Sequence, residues 1–76
     1  MNYKTGKKFP DGTDIMLGDK IQGDYSQEVV VLWDNERQEY VVEVVDNPDA
    51  WLILDEYIFS CSNSLRKTGS RLKRGN

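Results

Sequence analysis

Histidine is absent from this 76-residue chain, and cysteine occurs once, at Cys61. The missing imidazole excludes a catalytic triad of the Ser–His–Asp kind and the common zinc ligand sets. A lone thiol cannot close an intrachain disulfide, which fits a reducing, cytoplasmic setting. No apolar run is longer than "VVVLW", far short of the ~20 residues that cross a bilayer. The opening "MNYKTGKKFPDG" has no apolar stretch, so a signal peptide is not expected. Helical periodicity is missing from every stretch of about ten residues, and there are no internal repeats. A chain this short is expected to form one domain, residues 1–76, without room for a deep catalytic cleft.

Charge is plentiful but unevenly placed. The net value of −3 conceals a separation. Lys4, Lys7 and Lys8 stand in residues 1–8, and Arg66, Lys67, Arg71, Lys73 and Arg74 in residues 66–76, with no acid inside either segment. All 13 acids lie between Asp11 and Glu56, against only Lys20 and Arg37. The middle therefore carries −11 and the ends +8. Such segregation speaks to partners more than to fold. Residues 1–10 and 70–76 read as flexible basic ends.

The middle reads as β. "EVVVLW" (28–33) and "EYVVEVV" (39–45) are rich in β-branched and aromatic residues. "DNERQ" between them is a polar connector with turn formers at its start. A hairpin that sets Trp33 opposite Tyr40 also sets Val31 opposite Val42 and Val29 opposite Val44. That register gathers Val29, Val31, Trp33, Tyr40, Val42 and Val44 on a core face and keeps Glu43 off it. The other face holds Val30, Leu32, Val41, Glu43 and Val45. It is still mostly apolar, which suggests a barrel or sandwich.

The flanking segments are shorter. "DNPDA" (46–50) reads as a turn and "WLIL" (51–54) as a renewed strand. "DEYIF" (55–59) fits one helical turn or a continued strand. "SCSNS" (60–64) reads as a loop, and the last dozen residues hold a short strand around a turn at Gly69. Short strands with polar turns about every ten residues predict an all-β fold. We expect a small SH3-like barrel of about five antiparallel strands with at most one short helical turn.

Four stretches carry possible chemistry. "DGTDIMLGDKI" (11–21) holds two glycines, but a phosphate loop needs consecutive N–H groups converging on the anion. Gly12 and Gly18 are too far apart, and Asp11, Asp14 and Asp19 repel phosphate. The stretch reads instead as a first strand with Ile15, Leu17 and Ile21 inward, bent at its glycines. Those three aspartates fit no EF-hand spacing. Cys61 has only Arg66 and Lys67 nearby in sequence to activate it, and a buried inert thiol is the simpler reading. Asp55 and Glu56 are adjacent, so their side chains diverge and do not make a glycosidase pair. The basic "RKTGSRLKRGN" offers phosphate contacts but no aromatics for base stacking.

The acidic turns remain. Asp34, Glu36 and Glu39 lie in or beside the hairpin connector, Asp46 and Asp49 in the next turn, and Asp55 and Glu56 after "WLIL". The plain reading is a solvated surface. The functional reading is a ring of carboxylates that steers a basic partner onto an exposed aromatic, Trp51 or Tyr57.

The pattern Asp11-Gly12-Thr13, Ile15, then Leu17-Gly18-Asp19-Lys20-Ile21, with a Val-rich hairpin and a later Trp, resembles a group of small bacterial proteins. Their first strand reads "DGT-x-I-x-x-GD-x-V". Some are encoded beside polymorphic or contact-dependent toxins and are taken to be immunity proteins. The same stretch is similar to the phage YopX-like family, which begins a small β-barrel with "G-x-x-I-x-x-GD-x-V". The likeness covers mainly residues 11–45, and "TGSRLKRGN" stands where the YopX-like proteins close on "IGN".

The resemblance implies a non-catalytic cytoplasmic immunity protein that neutralises a cognate toxin, and the acidic turns independently point to a basic, nuclease-type toxin. Its expected contacts are Asp34, Glu36, Glu39, Asp46, Asp49, Trp51, Asp55, Glu56 and Tyr57. The alternative is a phage or plasmid accessory barrel that holds nucleic acid through its basic C-terminal tail. Neither reading calls for a cofactor, a metal, a small-molecule substrate or a membrane.

Overall fold

Alternation of apolar and polar residues sets the architecture. A computed structural model describes residues 4–24 and 26–70. Among the described residues there are seven strands: β1 (Lys4–Lys8), β2 (Asp14–Met16), β3 (Asp19–Gln22), β4 (Val29–Asp34), β5 (Glu39–Val44), β6 (Asn47–Ile53) and β7 (Arg66–Ser70). Helix α1 (Leu54–Cys61) and a 3-10 turn (Ser62–Ser64) separate β6 from β7. β1 and β2 form a two-stranded hairpin, and the other five form an antiparallel sheet in the order β6-β5-β4-β3-β7. The fold is thus mostly β with one short helix. The sheet is open, not a closed barrel, with β6 and β7 as its two edges.

The β4–β5 hairpin takes the expected register, with Val29 opposite Val44, Val31 opposite Val42 and Trp33 opposite Tyr40. Val29, Val31 and Val42 enter the core with Ile15, Ile21, Leu54 and Leu65. Burying each such aliphatic side chain contributes about 1.5–3 kcal/mol. Trp33 departs from expectation. It sits at the hairpin's end, where nothing covers it fully, and is 43 % exposed.

Several sequence readings need correction. Residues 4–8 are not a loose end but strand β1, and Phe9 beside them is buried. "DGTDIMLGDKI" is two strands, not one. The chain leaves the small hairpin at Leu17–Gly18 and joins the large sheet at Asp19, with Gly18 at φ 90°. Ile15 and Ile21 are fully buried, while Leu17, in the turn, is half-buried. The "DNPDA" turn ends at Asp46, because Asn47 onward belongs to β6. There Val44 pairs with Asn47 but Glu43 with Trp51, so Pro48, Asp49 and Ala50 have no residue opposite. An edge tolerates proline and such bulges.

The helix is longer than one turn. Leu54, Tyr57 and Cys61 line its buried face, at a spacing that suits about 3.6 residues per turn. It takes in Ser60 and Cys61, read from sequence as loop. Gly69 is not a turn but pairs with Lys20 inside β7. The basic positions Arg71, Lys73 and Arg74 lie outside the described residues.

Two close fits hold the elements together. Asp19 is 2 % exposed, yet its Oδ2 accepts the Met16 N–H at 2.9 Å and its Oδ1 lies 3.3 Å from Lys67 Nζ. Gly23 meets helix α1 so closely that an added Cβ would stand 2.5 Å from Cys61 Sγ.

Asp19→Ala is expected to lower unfolding free energy by about 1–3 kcal/mol, because the part-buried Met16 N–H loses its acceptor. Asp19→Asn, which keeps an acceptor oxygen, should lose roughly half as much or less. Gly23→Ala should cost ~1–3 kcal/mol through overpacking. Each is read as a lower denaturant midpoint at unchanged slope.

Candidate functional site

The second face of the hairpin becomes a site when β6 joins it. Leu32 pairs with Val41, Val41 with Ile53, and Glu43 with Trp51. Their side chains share the face turned from the core. Leu32, Val41 and Trp51 line a shallow groove of about 320 Å³ with Asp34, Glu36 and Glu43 as its carboxylates. Trp51 is 43 % exposed. Trp33 closes one side, packed edge-to-face on Tyr40 at 4.8 Å between ring centres.

The connector shapes the acidic end. Asp34 Oδ1 accepts the N–H groups of Glu36 at 3.0 Å and Arg37 at 3.2 Å. The Asp34 carbonyl accepts the Gln38 N–H at 2.8 Å. Gln38 takes a φ of 57°, a left-handed conformation unusual for a residue with a side chain. This geometry returns Arg37 over the sheet. Its guanidinium carbon lies 4.5 Å from the Trp51 ring centre, and its Nε lies 3.6 Å from Asp34 Oδ2. Among the described residues, no ion pair involves Glu36 or Glu43.

Only three of the nine expected contacts come together here: Asp34, Glu36 and Trp51. Glu39 and Asp55 line a neighbouring hollow, where Asp55 is paired with Lys7 at 2.8 Å. Asp46 lies at the far end of the hairpin, and strands this long separate their ends by roughly 17 Å. Asp49 sits in the bulged part of β6. Glu56 stands exposed in the first turn of α1. Tyr57 is not an exposed anchor. It is 4 % exposed, and its hydroxyl donates to the Gln27 carbonyl at 2.7 Å.

Sequence reasoning missed Glu43, Leu32, Val41 and Arg37 as site members. The hairpin register already placed the first three on one face. What was not readable was that β6 would bring Trp51 beside them.

The remaining candidates are engaged structurally. Asp11 accepts the backbone N–H and the hydroxyl of Thr13, which hold its carboxyl below the usual range. A hydrogen bond from Lys8 does the same for Asp14. Cys61 is buried, 3.7 Å from Ser26 Oγ. Among the described residues, no three His, Cys, Asp or Glu side chains gather as metal ligands, and no helix is long and apolar enough to cross a membrane. No family model, curated protein or solved structure matches the chain.

Burial, helped by Cys61, pushes the Tyr57 phenol from its ordinary 10 up to about 12. The folded state thus favours the protonated form. That stabilisation is complete below pH 10 and is lost as pH rises from 10 toward 12. Denaturation series across this window should lose about 2–3 kcal/mol, in step with tyrosinate absorbance. Tyr57→Phe should lack that component of the alkaline loss.

Proposed function

We propose that this chain is a non-catalytic binding module that captures a basic protein, in the manner of a cytoplasmic immunity protein neutralising a nuclease-type toxin. The observation that carries the reading is the half-exposed Trp51 ring, flanked by Glu43 and by the Asp34–Glu36 connector. An aromatic anchor ringed by carboxylates suits a cationic surface. The anchor supplies affinity and the carboxylates supply steering and specificity. A nuclease must hold a polyanion, so its own site presents the complementary charge.

An SH3-like arrangement is the fold reading we favour. The last strand pairs with the first strand of the sheet, and a 3-10 turn leads into it. The nucleic-acid alternative has less support. Two of its cations are engaged within the chain, Arg66 with Asp24 at 3.4 Å and Lys67 with Asp19.

The test is a calorimetric titration against the protein product of the neighbouring gene. Glu36→Lys with Glu43→Lys should weaken binding at least about 100-fold, and Trp51→Ala by a similar factor. Reversing Asp46 and Glu56, which lie off the groove, should change it less than about threefold. Equal losses from both pairs of reversals would remove the groove as the contact surface.

A further inference from the structure

We propose that the Trp51 ring at the groove's margin is a guanidinium subsite which the chain keeps covered with its own Arg37, and that an arginine of the partner enters by exchanging with it. This rests on the binding-module reading above and adds what the partner must carry.

The occupant is visible in the structure. The Arg37 guanidinium lies 4.5 Å from the Trp51 ring centre, inside the ~6 Å over which a ring face attracts a cation. Its contact with Asp34, at 3.6 Å, is too long for a hydrogen bond. The ion pair is therefore loose and exchangeable. The Arg37 side chain is 49 % exposed, so it can swing into water without opening the core.

Its backbone is held separately, by its N–H on Asp34 Oδ1 and by the Gln38 N–H on the Asp34 carbonyl. The connector keeps its shape when the side chain leaves. Glu36 and Glu43 line the adjoining groove, which shares Trp51 and Asp34 with this contact, so negative charge borders the ring whichever chain supplies the cation. Arginine suits the site better than lysine. A planar guanidinium stacks on an indole and forks to carboxylates, whereas an ammonium is compact and more strongly hydrated.

Internal occupancy lowers apparent affinity by the fraction of sites left open. One cation–π contact with one loose ion pair should hold the site closed by about fivefold to tenfold.

The probe is an oligo-arginine peptide titrated into the full chain at about 0.15 M salt, followed by tryptophan fluorescence and calorimetry. Arg37→Gln should bind it roughly fivefold to tenfold more tightly than the native chain. Lys8→Gln removes the same charge from the β1–β2 hairpin and should change binding less than about twofold. Trp51→Leu should abolish binding in either background, Trp51→Phe should retain part of it, and oligo-lysine should bind more weakly than oligo-arginine. Melting curves identify any variant that fails to fold. Equal tightening by Arg37→Gln and Lys8→Gln would overturn the proposal in favour of simple net charge. So would unchanged or weaker binding by Arg37→Gln, while a retained dependence on Trp51 would leave the groove itself standing. Binding indifferent to Trp51→Leu would remove the groove reading along with this one.

Discussion

One buried carboxylate, Asp19, fixes how the two sheets of this protein meet. It takes the backbone N–H at the end of β2, begins β3, and faces Lys67 of β7. The neighbouring Gly18 N–H donates to the Val31 carbonyl of β4 at 2.8 Å. Three strands of the large sheet and one strand of the hairpin are thus referenced to two adjacent residues, Gly18 and Asp19. A charge so buried is tolerable because both its oxygens are engaged. Ile15 of the hairpin and Ile21 of the large sheet can then pack with Phe9 into one core.

With that junction set, the valine hairpin works on both sides. Val29 and Val31 of β4 supply the core, and its even-numbered residues face the other way. That surface becomes a groove because β6 adds Trp51 at one margin and the connector adds carboxylates at the end. The ring, its arginine and the acids are held by the backbone of three consecutive strands and a capped turn, not by a mobile loop. Such placement lets a small protein present a formed site without a deep cavity.

Much of this was legible. The register of β4 against β5 followed from period-2 alternation and the Trp33–Tyr40 pairing, and the structure has it residue for residue. The inward positions Ile15 and Ile21 were readable for the same reason. The helix was not, because eight residues give only two turns, too few to separate their period from a strand's. The "DNPDA" segment misled because its turn-forming residues occupy a bulged edge strand, where those preferences are tolerated. For the site, local sequence showed acidic turns but not their distances. Asp34 and Asp46 look equivalent along the chain, yet they lie at opposite ends of one hairpin. Tyr57 and Trp51 both looked available. Helical spacing turned Tyr57 into the core, while a strand edge left Trp51 outside.

The bulge at Pro48–Ala50 has a consequence for how this molecule behaves in a crowd. A straight outer strand beside a half-exposed tryptophan would be a template on which other chains could add and stack. Here the outermost strand pairs regularly only from Trp51 to Ile53, and ahead of that run stand a bulge, a proline and Asp49. Strand-to-strand growth meets an irregular edge with a missing donor and a charge. The β6 edge is therefore a poor template for strand addition beside the half-exposed Trp51.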